Sequence, residues 1–346
     1  MEYRTFGTTG VKVSTHCLGA MMFGAWGNDD AGECVRIIHA AIDAGINFID
    51  TADVYSAGGS EEIVGKALAG RRDRVVLATK VHGAMGRGVN DGGNSRLWIM
   101  REVEASLRRL GTDHIDLYQV HRPAADADLE ETIGALTDLQ RQGKIRYFGT
   151  STFPAWLVAE AQRVAERRGL ARPRSEQPPY SILVRHAELD LLPAAQRYGM
   201  GVLVWSPLCR GWLTGRYRRG VQPEAGSRAV RNRERGGVFA AQFDMARPEN
   251  QRKLDLVESL ARIAAAAGVS LPHLAVAFVL SHPGVTSAII GPRTMAQLED
   301  LLAGADLRLD GATLDAIDAL VPAGTTVDDN DRGWVPWWLD KAARRR

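Results

Sequence analysis

A chain of 346 residues, 45% hydrophobic and 24% charged, carries enough apolar material to bury a large core, which excludes a disordered or fibrous class. Forty-three Lys and Arg against 41 Asp and Glu leave a net charge of +2, so neither nucleic acid nor a membrane surface is an electrostatically favoured partner. Cys17, Cys34 and Cys209 are odd in number, far apart and without CxxC spacing, which argues against a disulfide framework or a structural zinc site.

The opening MEYRTFGTTG has no apolar core of signal-peptide length, and no apolar run is long enough to span a bilayer, so the expected location is the cytoplasm. A short strand is predicted around His16 to Gly19. Val35, Ile38 and Ile42 then recur at helical spacing before Gly45, and NFIDTADVY follows with a strand through Asp50. A short helix near 60–69 precedes the strand VVLATKV. The next helix has a stripe of Ile99, Val103, Leu107 and Leu110 ending at Gly111, and leads into HIDLYQV. A stripe of Ile133, Leu136 and Leu139 runs to Gly143, and strands are predicted at IRYFGTS, before Gln177, at GVLVW and at VTSAII.

Eight strand-helix units predict an α/β fold of the (β/α)8 TIM-barrel type, one domain over residues 1–346, because consecutive parallel strands need helical crossovers and closure leaves no exposed edge. An open doubly wound sheet is the alternative. Two segments break the alternation: the Arg- and Gly-rich connection 209–247 after the seventh strand, and the tail 322–346 with Trp334, Trp337 and Trp338, expected to close the active-site face.

Asp50, Lys80 and His121 lie at or just beyond strand ends, and Tyr55 lies in the loop after one. Alone, each has a plainer explanation: a turn cap, a solvated ammonium, a structural histidine, a half-buried tyrosine. On a barrel, the C-terminal strand ends converge on one cavity. Reduction of a carbonyl by hydride leaves an alkoxide that needs a proton, and a phenol, with an ordinary pKa near 10, is a reluctant acid unless its anion is stabilised. A neighbouring lysine supplies that stabilisation, an aspartate keeps the lysine charged, and a histidine holds the substrate oxygen.

With these residues in place, the chain resembles the aldo-keto reductase family, whose tetrad of aspartate, tyrosine, lysine and histidine would be Asp50, Tyr55, Lys80 and His121. The resemblance continues through LGAMMFG at 18–24, GTST at 149–152, YSILVR at 180–185 and WSPLCRGWLTGRY at 205–217 to IIGPRTMAQLED at 289–300. It implies NADPH as cofactor. Ser151 and Gln177 would hold the carboxamide and Trp205 would stack on the nicotinamide. Ser206, Pro207, Leu208 and Arg216 would follow the pyrophosphate. Gly291, Arg293, Gln297 and Asp300 would take the adenosine end, where a helix start attracts phosphate and the planar guanidinium of Arg293 suits a 2′-phosphate. Thr294 and Gln297 also have capping-box spacing, which gives Gln297 a structural alternative.

Some positions depart from the commonest family pattern. Thr152 stands where an asparagine is usual, Leu301 replaces another asparagine, and Met21 and Met22 replace Thr-Trp. Expected substrate walls are Met22, Phe23, Trp26 and Trp334, suited to a sugar or a flat xenobiotic carbonyl. The resemblance thus implies an NADPH-dependent carbonyl reductase acting on a small molecule. The alternatives are a cofactor-binding regulatory subunit similar to potassium-channel β subunits and a metal-dependent barrel hydrolase or isomerase. The last is disfavoured because no His-x-His pair marks a metal site.

Overall fold

The chain opens on a hairpin that the sequence patterning does not announce: β1 (Tyr3–Thr5) pairs antiparallel with β2 (Lys12–Ser14). Strands of three residues are too short to establish a period of two. The eight expected strands follow as β3 (His16–Gly19), β4 (Phe48–Asp50), β5 (Val76–Val81), β6 (Ile115–Val120), β7 (Ile145–Ser151), β8 (Ser175–Gln177), β9 (Gly201–Val204) and β10 (Ser287–Ile290). All the barrel ladders are parallel and the sheet closes on itself, in the order β10-β3-β4-β5-β6-β7-β8-β9, which settles the choice against an open sheet.

The computed structural model describes residues 1–224, 227–339 and 341–344; residues 225 and 226 of the long connection and 340, 345 and 346 of the tail lie outside that description. The helices are α1 (Ala31–Asp43), α2 (Gly59–Leu68), α3 (Arg96–Leu110), α4 (Leu129–Arg141), α5 (Ala155–Arg168), α6 (Leu191–Arg197), α7 (Arg228–Arg235), α8 (Gly237–Ala241), α9 (Pro248–Ala266), α10 (Leu271–Ser281), α11 (Met295–Ala303), α12 (Gly311–Leu320) and α13 (Lys341–Arg344). The stripe predicted for α3 is buried in full, and Gly111 ends that helix in the left-handed conformation at φ +61°. In α1 the buried face is Cys34, Ile37, Ile38, Ala41 and Ile42, so Val35 sits at its edge. No single helix among the described residues is long and apolar enough to cross a membrane.

Two compact units are distinguished. The first comprises Met1–Pro178, Pro193–Leu203 and Gly284–Asp306 and contains the hairpin, the barrel strands through Leu203 and helices α1–α5 and α11. Its lower barrel layer is apolar: Cys17, Phe48, Ala78, Leu117 and Leu203 pack with Phe6 and Val13 from the hairpin arm, and Phe6 meets Phe48 edge-on at 5.6 Å. A Cβ at Gly201 would stand 2.5 Å from the Phe6 ring, so the floor requires glycine there. Two residues further along the strands, on the same face by the period-2 rule, the layer turns polar with Asp50, Lys80, Gln119 and Gln177.

The second unit comprises Pro179–Leu192, Val204–Pro283 and Leu307–Arg346. It contains the 209–247 connection, which is not a continuous loop: residues 209–214 form a 3-10 turn, and α7 and α8 follow. Ser227 caps α7 by accepting from the Val230 backbone N–H, and Trp212 stacks on Phe243 with ring centroids 6.0 Å apart. A buried lysine, Lys253 of α9, meets Asp328 at 3.0 Å and Asp331 at 2.5 Å, tying the turn that precedes the tryptophans to the helix. Trp334, Trp337 and Trp338 then pack on one another, with centroids 4.7–5.4 Å apart.

Candidate active site

The polar layer at the C-terminal ends of β4, β5 and β6 is built around a lysine with no exposed surface. Lys80 Nζ donates to Asp50 Oδ1 at 2.5 Å, to the Thr51 carbonyl at 2.8 Å and to the Tyr55 hydroxyl at 3.2 Å. Three N–H donors thus meet three acceptors, which satisfies the ammonium at a fully buried position. Burial alone would depress the lysine pKa, but the Asp50 carboxylate and the Tyr55 oxygen outweigh it and the net shift is upward. The lysine therefore stays charged.

Asp50 is held from its other side as well. Its Oδ2 accepts from Gln119 Nε2 at 3.1 Å and Gln177 Nε2 at 2.8 Å, and Gln177 also donates to Gln119 Oε1 at 3.1 Å. Gln119 is not among the expected site residues, although its position is readable: it is a polar side chain in the apolar run IDLYQV, two residues before His121, and it is the register partner of Lys80. His121 follows β6, and its ring lies 5.7 Å from that of Tyr55, edge to face. Burial first, then the neighbouring charges of Arg122, Lys80 and His82, push the His121 pKa well below its ordinary value, so the imidazole is neutral at pH 7. A neutral imidazole offers one N–H donor and one acceptor.

Tyr55 is presented by a tight turn of unusual backbone. Ser56, Ala57 and Gly58 all have positive φ, at +50°, +53° and +96°. For Ser56 and Ala57 this conformation costs about 1–3 kcal/mol each, a cost that the surrounding contacts must offset. Ser56 Oγ donates to the Phe23 carbonyl and accepts from the Trp26 backbone N–H at 3.2 Å, and the Trp26 ring lies 5.9 Å from Tyr55. Met22 and Trp26 are half-buried beside this turn. Phe23, expected as a pocket wall, is wholly buried and supports the loop from within, so it does not line an open surface.

At the ends of β7 and β8, Ser151 Oγ donates to the Gln177 carbonyl at 2.8 Å. Thr152 has φ +60°, rare for a β-branched residue, and its hydroxyl accepts from Arg122 Nη1 at 3.1 Å. Arg122, which reads in the sequence as one more loop arginine, also donates to the His121 carbonyl at 2.5 Å and so joins the ends of β6 and β7. On the neighbouring β8, Glu176 is fully buried, accepting from Thr150 Oγ1 and from the Phe153 backbone N–H, and burial pushes its pKa up to about 8. A raised carboxyl pKa means stability that is fully present below the ordinary value of 4.5 and is lost as pH rises through about 8. The Glu176→Gln protein, with no proton to lose, is expected to show a thermal midpoint that gains on the parent steadily across that window. A parallel pair of curves would refute the buried neutral carboxyl.

The remaining expected contacts fall in both units. In the first, Gly291 follows β10 with an open backbone, where a Cβ would meet nothing within 4 Å. Arg293 precedes α11, and its carbonyl accepts from Asn28 Nδ2 at 2.9 Å. Thr294 caps α11 by accepting from the Gln297 N–H, while Gln297 Oε1 accepts from the Arg293 N–H at 2.8 Å. The Gln297 side chain thus folds back on Arg293, the residue before the cap, and not on the Thr294 N–H that a capping box would use, whereas Asp300 is exposed on α11. In the second unit, Trp205 and Ser206 follow β9, with Ser206 at φ +58°, and Cys209 N–H donates to the Ser206 carbonyl at 2.8 Å. Pro207 is buried and Leu208 half-buried; the Leu208 carbonyl accepts from Gly211 N–H, and Arg216 donates to Thr214 Oγ1 at 3.0 Å. The Arg210 guanidinium lies 5.3 Å from the Trp205 ring, and a side chain on Gly333 would overlap that indole.

A family model described as "Aldo/keto reductase family" matches residues 17–322. The chain is 38% identical over 334 residues to "Uncharacterized oxidoreductase YrpG" of Bacillus subtilis, covering 93% of this chain and 96% of that protein. It is 36% identical over 331 residues to "Probable voltage-gated potassium channel subunit beta" of Arabidopsis thaliana, covering 93% and 97% of the two chains. Against "Aldo-keto reductase YhdN" of Bacillus subtilis the identity is 37% over 313 residues, covering 87% and 88%.

Proposed function

Because the chain belongs to the aldo/keto reductase family of oxidoreductases, we propose that it reduces an aldehyde or ketone to the alcohol with NADPH, Tyr55 giving the proton. The observation that carries this reading is the buried Lys80 ammonium touching both the Asp50 carboxylate and the Tyr55 hydroxyl. The cofactor, when bound, would supply the hydride that the carbonyl carbon takes up. Tyr55 Oη–H protonates the oxygen, and Lys80, 3.2 Å from the phenol oxygen, places a fixed positive charge where negative charge develops. Asp50 keeps that charge in place. Neutral His121 donates its N–H to the substrate oxygen and orients it toward the phenol.

The chain has a donor set suited to the cofactor. Arg293 beside the N-terminus of α11, with the accessible backbone of Gly291, suits a phosphate, and the guanidinium fork suits a 2′-phosphate. Gln297 and Asp300 complete that end. Ser151, Thr152 and Gln177 would hold the carboxamide, with Gln177 Nε2 already given to Asp50 so that its carbonyl end serves as acceptor. Trp205 would face the nicotinamide, and Ser206, Pro207, Leu208 and Arg216 the pyrophosphate. Met22, Trp26 and Trp334 are assigned to a small-molecule carbonyl substrate. Three buried free thiols suit a reducing compartment, and the cytoplasm is assigned on that ground.

Replacing Arg293 with alanine is expected to raise the Kd for NADPH about tenfold or more while leaving that for NADH within about twofold, since a charge-assisted hydrogen bond to one phosphate is lost. Fluorescence titration with both nucleotides checks this, and equal effects would remove the 2′-phosphate assignment. A second reading, a cofactor-binding channel subunit, is favoured by the likeness to the Arabidopsis potassium channel subunit beta. A screen of NADPH oxidation over sugar aldehydes, keto-sugars, quinones and aromatic aldehydes separates the two. Turnover supports the reductase, and tight NADPH binding without turnover on any carbonyl supports the subunit.

A further inference from the structure

Behind Asp50, Lys80 and Tyr55, on the outer side of β4 and β5, the fold buries three carboxyl groups that the reaction does not use. Asp53 and Glu61 have no exposed surface and Glu102 is 3% exposed. Arg109 of α3 sends Nε to Glu61 Oε2 at 2.6 Å and Nη2 to Glu102 Oε1 at 2.5 Å and Ser106 Oγ at 3.2 Å. Glu61 Oε1 accepts from Thr79 Oγ1 at 2.5 Å, and Thr79 is the residue before Lys80. Asp53 Oδ1 accepts from the Val54 N–H, and the Asp53 N–H donates to the Lys80 carbonyl. Burial, reinforced by its neighbours Glu61 and Glu102, raises the Asp53 pKa well above the ordinary carboxylate range, and burial also raises that of Glu61 against the pull of Arg109.

The cluster sits under the strained turn. A Cβ on Gly58 would stand 2.8 Å from Arg109 Cδ, so the arginine stem is the surface on which the last left-handed residue rests. Glu61 lies in the first turn of α2, which begins at Gly59 directly after the turn. Left-handed backbone at Ser56 and Ala57 persists only where its surroundings over-determine it, and Arg109 grips both the floor of the turn and the helix that continues it.

We propose that Arg109 is a positioning residue for Tyr55: tied to Glu61 and Glu102, it seats the left-handed turn at residues 56–58 and so fixes the phenol against Lys80. This rests on the reading of Tyr55 as proton donor. Arg109 touches none of the reacting atoms. Its removal leaves Glu61 and Glu102 buried without a counter-charge and the Gly58 floor empty, and the phenol loses its fixed distance to the ammonium.

The test measures kcat, KM for the carbonyl, NADPH Kd and the pH profile of kcat in Arg109→Met, Arg109→Lys and Gly58→Ala, beside Tyr55→Phe. Arg109→Met is expected to lower kcat about 10- to 100-fold, the scale on which misplacement of a catalytic group acts, with NADPH Kd within about twofold and a displaced pH profile. Arg109→Lys, which keeps the charge but not the fork, is expected to recover part of the loss. Gly58→Ala crowds Arg109 Cδ and also strains the turn backbone at φ +96°, so it displaces the turn without removing charge, and is expected to lower kcat with the same split even if Arg109→Met does not fold. Folded variants with kcat within about twofold of the parent and an unchanged profile, or a proportional loss of kcat and NADPH binding, would overturn the proposal. Retained turnover in Tyr55→Phe would remove the proton-donor reading itself, and the proposal with it.

Discussion

Tyr55→Phe is expected to lower the rate of carbonyl reduction by about 100- to 10,000-fold, the span that a positioned general acid contributes. The change removes one hydroxyl and little else. The phenyl ring keeps its packing against Trp26 at 5.9 Å and His121 at 5.7 Å, and Lys80 keeps two of its three acceptors, Asp50 Oδ1 and the Thr51 carbonyl. The fold should therefore persist, and NADPH should bind with a Kd within about twofold of the parent, because no cofactor contact is assigned to this oxygen. Stopped-flow oxidation of NADPH at saturating carbonyl, with fluorescence titration of the nucleotide, separates the two quantities. A variant that turns over within about tenfold of the parent would move the proton donor elsewhere.

The second large effect concerns stability, and it is asymmetric. Asp50→Ala leaves the Lys80 ammonium, with no exposed surface, holding only a backbone carbonyl and a phenol oxygen; the expected cost is about 3–5 kcal/mol. Lys80→Met should cost less, because the abandoned Asp50 carboxylate still accepts from Gln119 and Gln177. Both should abolish most of the turnover. Their pH dependence also differs from the parent's. The Lys80 pKa is raised in the folded state, so its contribution is fully present below the ordinary value of 10.5 and disappears as pH rises through the higher folded value. Urea unfolding at pH 7 and above pH 10.5 is expected to show an alkaline loss in the parent that Lys80→Met lacks. Equal destabilisation by Asp50→Ala and Lys80→Met at pH 7 would mean that the amides of Gln119 and Gln177 contribute nothing to the carboxylate.

Much of this site is legible in the amino-acid sequence. The barrel strands stand out as apolar runs between amphipathic helices, and Asp50, Lys80 and His121 as titratable groups at their ends. What escapes such a reading is of two kinds. Short or polar elements carry no period: the three-residue strands of the hairpin, and α7, whose arginines leave no apolar stripe, so that the 209–247 segment reads as loop. The other kind is long-range. Arg109 meets Glu61 across 48 residues of sequence, and nothing local in SLRRLGTDH distinguishes it from Arg108. Gln119 and Arg122 are nearer to being readable, the first as a polar break in an apolar strand and the second as the neighbour of His121. Phe23 errs in the opposite direction, because an aromatic next to a catalytic loop serves equally well as its wall or its foundation.

Stereospecific carbonyl reduction is tested by following the hydride itself. The protein is given NADPH deuterated at one or the other of the two C4 positions, with a carbonyl that the screen has shown to be consumed, and the alcohol is analysed by mass spectrometry. Stereospecific hydride transfer in a built site predicts one deuterium on the carbinol carbon from one epimer and none from the other. Alcohol lacking deuterium from both, or equally labelled from both, would contradict it.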